Sequence, residues 1–293
     1  MVDIIREIEV KSILTKSNLP IAGYSVNPYV GCPHACKYCY ATFMKRFTNH
    51  KEQWGTFLDI KNWKAIKNPN KYRGETIILG SVTDAYHPLE EKYKRTRQFL
   101  EEMQGSGVNL IITTKSDLVL RDLDLIKTYP DPLVSWSINT LDEKFHKDMD
   151  NASDIEKRIE AMKQFHDAGI RTTCFISPIF PGITDVISII ERIEKYCDYI
   201  WLENLNLRGD YKATILKYIS EKYPELMKIY DDIYIHKKRN YWVDLDKKVS
   251  QYANEKGYEY LIDKEPFLRS TTGKPIIINY FYHEEIRQTS KNK

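Results

Sequence analysis

The sequence predicts an α/β protein built on a parallel sheet. Strand-like apolar runs alternate with amphipathic helical runs six times along 293 residues. That β-then-α order favours parallel strands joined by right-handed crossovers. Hydrophobic residues make up 42% and charged residues 29%, a globular balance with room for a sizeable core. The number and spacing of the units suit a barrel or an incomplete barrel at least as well as an open doubly wound sheet. In such folds the chemistry sits at the C-terminal ends of the strands, in the loops that follow them.

The expected strands are 22–26, 76–80, 108–113, 133–138, 171–176 and 199–203. Between them lie helices with clear punctuation. A helix from about Leu89 has Glu90/Lys94 and Glu91/Arg95 at i,i+4 spacing and Gly105 as its end. Ser153-Asp154-Ile155-Glu156 reads as a capping box. Ile155, Ile159, Met162 and Phe165 then repeat at helical spacing, and Gly169 supplies a left-handed stop. Neither a low-complexity linker nor an internal repeat interrupts the series. A single domain over 1–293 is expected, with a core of about 20–210 and a C-terminal extension of about 211–293. The tail 284–293 is polar and expected to fray.

Net charge is +3 and the isoelectric point about 8.4, too mild to argue a nucleic-acid or membrane partner. Residues 1–14 interrupt every apolar pair with charge, and no apolar run approaches the ~20 residues that span a bilayer. The protein is expected to be cytoplasmic, with no membrane partner. In a reducing compartment, five cysteines of which three are clustered point to metal rather than disulfides. Cys174 and Cys197 fall inside apolar elements and read as buried small hydrophobes. The run His236-Lys237-Lys238-Arg239-Asn240-Tyr241-Trp242 mixes basic and aromatic residues as nucleic-acid surfaces do. Short basic runs are usually solvated faces, so nucleic acid is not the favoured partner.

The most informative segment is Asn27-Pro28-Tyr29-Val30-Gly31-Cys32-Pro33-His34-Ala35-Cys36-Lys37-Tyr38-Cys39-Tyr40. Its C-x3-C-x2-C spacing supplies three thiolates and no fourth. Three thiolates can hold three corners of a cubane iron–sulfur cluster and leave one iron open, whereas a structural zinc site closes its shell with four ligands. His34 lies between two of the cysteines and is poorly placed to complete a tetrahedron. Gly31 and Pro33 turn and stiffen the loop, while Tyr38 can offer a flat face to a planar ligand. The loop follows the first expected strand, on the face where chemistry is expected.

C-x3-C-x-aromatic-C after a first strand, leading a βα series, resembles the radical S-adenosylmethionine (SAM) superfamily. Gly80-Ser81-Val82-Thr83-Asp84-Ala85-Tyr86-His87-Pro88, Thr114-Lys115-Ser116 with Arg121-Asp122, and Phe180-Pro181-Gly182-Ile183-Thr184-Asp185 resemble its branch related to spore photoproduct lyase. More narrowly, residues 20 to 280 are similar to the radical SAM mobile pair protein B group. The resemblance implies a partial (β/α)6 TIM-like barrel with a 4Fe–4S cluster and SAM as cofactors. It also implies reductive cleavage of SAM and hydrogen-atom abstraction from a substrate that the sequence does not identify. A reductant such as flavodoxin or ferredoxin is implied, with a second radical SAM protein as a further candidate partner.

Carried over residue by residue, Cys32, Cys36 and Cys39 match the cluster ligands. Tyr38 matches the aromatic residue beside adenine, and Tyr40 lies where backbone groups meet the adenine edge. Lys115 matches a lysine on the SAM carboxylate, where a cation makes a charge-assisted contact. Thr83 and Asp84 match another polar SAM contact. Ser137 matches a ribose or carboxylate contact, with Ser135 the competing register, and Arg158 is a further candidate for the carboxylate. Candidate substrate contacts are Tyr86 and His87 beyond the second strand, and Glu203, Asn204, Asn206 and Arg208 beyond the sixth.

One departure matters. The photoproduct-lyase branch uses a cysteine near the end of its second strand to return a hydrogen atom, and Ser81 stands there in this sequence. A hydroxyl hydrogen is far harder to abstract than a thiol hydrogen. Two other readings remain open on sequence alone. One is a non-enzymatic iron–sulfur protein that transfers electrons or senses redox state; the other is a nucleic-acid-binding protein with a structural cluster.

Overall fold

The computed structural model describes residues 2–19, 21–209, 211–262 and 276–281; the polar tail 284–293 lies outside them. The chain divides into two compact units, Met1–Trp136 with Lys147–Thr173, and Ser137–His146 with Cys174–Lys293.

The first unit carries β1 (Ile4–Glu9), β2 (Leu14–Lys16), β3 (Tyr24–Val26), β4 (Tyr29–Val30), β5 (Phe57–Asn62), β6 (Thr76–Leu79), β7 (Asn109–Thr114) and all of β8 (Leu133–Ser137) except its last residue. β3, β6, β7 and β8 lie side by side and parallel, as the βα order predicts. β2 adds to β3 in antiparallel fashion. Ile77, Ile78, Leu79, Leu110, Ile111, Ile112, Leu133 and Val134 are all buried. Near-continuous apolar strands of this kind are covered on both faces, the condition of parallel sheets in α/β proteins. A separate small sheet places β1 parallel to β5 and β4 antiparallel to β5. The sequence gives no warning of it, because β1 is mostly exposed and carries charge between its isoleucines.

Two helix details differ from expectation. The helix from Leu89 is broken into Glu90–Tyr93 and Arg95–Met103 by Lys94, whose φ is +52°. Glu90 forms no surface pair with Lys94. It is buried, and its carboxylate accepts the amides of Thr96 at 3.0 Å and Arg97 at 3.3 Å. It therefore satisfies free donors at the start of the second helix, which a broken helix leaves orphaned. Arg121 closes on the same carboxylate at 2.6 Å, and Tyr29 donates its hydroxyl to it. The second difference concerns the helix Ile155–Asp167, whose cap residue is Asp154 with no side-chain cap bond. Ser153 donates to the Asp117 carboxylate at 2.6 Å and accepts the Asp117 amide at 3.3 Å.

The second unit carries β9 (Arg171–Ile179) from Cys174 onward, β10 (Tyr199–Asn204), β11 (Glu259–Ile262) and β12 (Ile277–Phe281). β12 pairs parallel with β10 on one side and β11 on the other. The region after residue 210 thus contributes strands as well as the helices Tyr211–Lys222, Met227–Tyr234 and Asn240–Lys256. Asp185, at the end of the Phe180–Asp185 motif, caps the helix Val186–Ile193 by accepting the Ser188 amide. Cys174 and Cys197 are buried, as expected for packing residues. In the run 236–242, Trp242 is buried, Tyr241 accepts the Gly182 amide at 2.9 Å and Lys238 pairs with Asp232 at 2.8 Å. Its aromatics are packing residues, not an open stacking surface. Among the described residues no helix is long and apolar enough to cross a membrane.

Candidate active site around the cysteine loop

The cysteine loop leaves β4 through Gly31, whose φ is +90°. A Cβ there would lie 2.2 Å from the Phe57 carbonyl oxygen, so the close approach of the loop to β5 requires glycine. We expect Gly31→Ala to cost at least about 1–2 kcal/mol from the left-handed backbone alone. It should lower both the melting temperature and the iron content after reconstitution. Unchanged values for both would show that the loop tolerates a different path.

Beyond Gly31 the chain turns twice, with the Ala35 amide on the Cys32 carbonyl at 3.0 Å and the Cys39 amide on the Cys36 carbonyl at 3.1 Å. Cys32 is buried in an apolar cluster with Val30, Ala41, Trp54 and Phe57, on which Cys39 and Met44 also pack. The segment after the helix Glu143–Met149 is laced to the loop. The Lys37 amide donates to the Met149 carbonyl at 2.9 Å, and the Asn151 amide to the His34 carbonyl at 2.8 Å.

Burial raises all three thiols; Asp84 raises Cys32 further, and Asp150 raises Cys36 further against a partial offset from Lys115. Burial therefore favours neutral thiols, and a metal centre must displace their protons to bind. His34 does not extend the ligand set. Its ring is buried and its Nε2 lies 3.1 Å from the Asp84 carboxylate.

Asp84 accepts hydrogen bonds on both carboxylate oxygens. Oδ1 accepts the Tyr86 amide at 2.9 Å and the Thr114 hydroxyl at 2.8 Å, while Oδ2 accepts the Lys115 amide at 2.6 Å and faces His34. Burial would raise this carboxyl, but His34 and the amides of Lys115 and Tyr86 outweigh it and hold it at about 2. The turn before Asp84 is braced by Asn27, which accepts the amides of Val82 and Thr83 and donates to the Ser81 hydroxyl at 3.0 Å. Thr83 is buried, and its hydroxyl has no partner among the described residues.

Lys115 follows β7. Its Nζ is buried with no hydrogen-bond partner among the described residues, and it lies 5.3 Å from the centre of the Tyr38 ring. A buried ammonium held only by an aromatic face is short of a counter-charge. Tyr38 is itself fixed: its hydroxyl donates to Asp150 at 2.7 Å. Asp150 also receives Arg158 at 3.3 Å, and the Arg158 Nε donates to the Ser153 carbonyl at 2.7 Å. Arg158 is thus no surface group; only 1% of it is exposed, and it backs the carboxylate that orients Tyr38.

Cys32, Cys36, Cys39, Tyr38, Thr83, Asp84, Lys115 and Arg158 all belong to the first unit, where this network joins them. Tyr40 opens the 3-10 turn Tyr40–Phe47; its ring is 59% exposed, and its hydroxyl donates to the Ser81 carbonyl. Tyr86 and His87 are fully buried, and the Tyr86 hydroxyl and both His87 ring nitrogens have no hydrogen-bond partner among the described residues. His87 packs edge-on against Tyr29 at 4.3 Å, and burial together with His34 pushes its imidazole down to about 3, leaving it neutral.

Ser137, Glu203, Asn204, Asn206 and Arg208 belong to the second unit. Ser137 ends β8 and is half-buried; Ser135 is buried with an unpartnered hydroxyl among the described residues. Glu203 accepts the Ser177 hydroxyl, and Asn204 is buried and accepts the Tyr280 hydroxyl. Arg208 is exposed and donates to Asn206 at 2.8 Å. Sequence reasoning missed Asn27 and Asp150. Both act through hydrogen bonds to residues far along the chain, and no local motif marks them.

The chain is 37% identical over 224 residues to an uncharacterised protein of Methanocaldococcus jannaschii, covering 76% of this chain and 85% of the relative. It is 21% identical over 250 residues to a radical SAM Nalpha-GlyT isomerase of Pseudomonas phage M6, covering 80% of this chain and 52% of that protein. Among solved structures, spore photoproduct lyase with bound AdoMet and dinucleoside spore photoproduct superposes with a TM-score of 0.54. Identity there is 15%, over 75% of this chain and 66% of the lyase. That likeness shows the fold, the mostly parallel α/β arrangement of partial-barrel type expected from the sequence. The model of the Radical SAM superfamily matches residues 26–193, from the end of β3 through the cysteine loop and beyond β9, and the chain belongs to that superfamily.

Proposed function

We propose that this protein is a radical SAM enzyme that holds one 4Fe–4S cluster on Cys32, Cys36 and Cys39. It binds SAM against Lys115 and removes a hydrogen atom from a substrate whose identity is open. The observation that carries the reading is the buried Lys115 ammonium without an anionic partner, beside the ring that follows the second cysteine. An electron carrier has no use for such a group, whereas the carboxylate of SAM supplies its missing charge. The cysteine loop fits the cluster in kind: three thiols on one short loop, with the nearby histidine committed to Asp84.

A cluster held by Cys32, Cys36 and Cys39 would supply the electron for reductive cleavage of SAM. The rest belongs to the chain. Tyr38, pinned by Asp150, offers its face to the adenine. The Thr83 hydroxyl is free to meet a polar group of SAM. The apolar cluster of Val30, Trp54 and Phe57 keeps water from the cysteines. Arg158 works through Asp150, and Tyr40 bounds the outer edge of the loop. Ser137, Glu203, Asn204, Asn206 and Arg208 remain candidates for ribose and substrate contacts. An acceptor site of this kind needs a one-electron donor such as flavodoxin or ferredoxin.

Anaerobically reconstituted protein given dithionite and SAM should release 5′-deoxyadenosine. A full cluster with no such release would return the protein to the electron-transfer reading. Because Ser81 offers no thiol hydrogen, the same reaction supplied with a dinucleoside spore photoproduct should restore no thymine. Repair over many turnovers would show that another donor reaches the radical.

A further inference from the structure

We propose that Asp84 is a positioning residue that sets the place of Lys115 relative to the cysteine loop, rather than a group that itself touches SAM. This inference rests on the function proposed above. Both carboxylate oxygens are already occupied. One holds the Tyr86 amide and the Thr114 hydroxyl, and the other holds the Lys115 amide at 2.6 Å and His34 at 3.1 Å. A carboxylate has about four good acceptor positions, and four donors fill them.

What it joins is specific. His34 lies between the first two cysteines; its backbone carbonyl accepts the Asn151 amide and its ring Nε2 faces Asp84. Thr114 ends β7 and Lys115 is the next residue. One side chain therefore bridges the loop that carries the metal ligands and the backbone from which the free ammonium projects. SAM must meet the cluster and the ammonium together, so an error in their separation weakens binding even when each part is intact. Outer partners that hold the groups contacting a metal or ligand act in this way.

Asp84→Asn is the direct test. Its amide nitrogen can replace Oδ2, facing the Lys115 amide and His34, or Oδ1, facing the Tyr86 amide and the Thr114 hydroxyl, and in either position it sets a donor against a backbone donor. Iron content should remain near that of the wild type, because no ligand is removed. SAM affinity, read by equilibrium dialysis on the reconstituted full chain, should fall about tenfold, as for the loss of one charge-assisted bond. The deciding readout is the double variant. If Asp84 acts through Lys115, Asp84→Asn should weaken SAM binding no further in a Lys115→Ala background. Additive losses, or unaltered affinity in the single variant, would overturn the inference. Thr114→Val strips one donor while keeping the charge, and covers the case in which Asp84→Asn does not fold. Its smaller loss must also vanish without Lys115, and a loss that persists there overturns the inference equally. A wild-type protein that takes up no SAM would overturn the proposed function and this inference together. Wild-type binding with an unaffected Asp84→Asn variant would overturn the inference alone.

Discussion

Replacing Cys32, Cys36 or Cys39 with alanine should abolish the iron–sulfur centre and, with it, all release of 5′-deoxyadenosine. Reconstituted wild-type protein should carry about four irons and four sulfides per chain, as ligation of one cubane by three thiolates implies. Each single variant should lose the broad visible absorbance. His34, the histidine within the loop, is buried with its Nε2 directed at Asp84. Burial raises all three thiols, so two remaining thiols must still release their protons to a centre that has lost a ligand. Cys197→Ala is the control, because Cys197 lies buried in the second unit and outside the loop. Stoichiometric zinc without iron after anaerobic reconstitution would sink the cluster assignment, as would wild-type absorbance in any of the three variants.

The central strands were legible because parallel strands buried on both faces announce themselves as short, dense apolar runs. Runs such as Ile77-Ile78-Leu79 and Leu110-Ile111-Ile112 are of this kind. The small sheet of β1, β5 and β4 was not legible. Its strands carry Arg6, Glu7, Asp59 and Lys61 among the apolar residues, and only long-range pairing decides their state. The break at Lys94 was hidden for a related reason. The i,i+4 charges suggest one helix, but the Glu90 carboxylate gains more from Arg121 and the Thr96 amide in the interior than from a solvated lysine.

The site divides along the same line. The cysteines and Lys115 can be read from spacing and resemblance because they carry the chemistry themselves. Asn27 and Asp150 act only through residues brought close by the fold: Asn27 holds a turn more than fifty residues away, and Asp150 reaches back to Tyr38. The burial of Tyr86 and His87 was not legible either. Position after a strand suggests an open mouth, yet Ala85, Tyr86 and His87 are all buried, and the chain turns inward before the next helix.

Lys115→Ala should weaken SAM binding about ten- to a hundredfold, the roughly 1.5–3 kcal/mol expected for losing one charge-assisted contact. The upper part of that range is favoured by burial, because the Nζ is shielded from water and its attraction to a carboxylate is less screened than at a surface. The cluster spectrum should not change. Lys115 is not a ligand, and its nearest aromatic contact is the face of Tyr38, whose hydroxyl stays on Asp150. Lys115→Met, which keeps the apolar stem and removes only the charge, should lose nearly as much affinity as the alanine variant if charge is the cause. A methionine variant that binds SAM like the wild type would mean that the stem, not the ammonium, matters. Unaltered affinity in both variants would remove Lys115 from the cofactor site. Loss of iron in either would instead show that the lysine supports the cysteine loop, as its proximity to Tyr38 and its backbone bond to Asp84 would then explain.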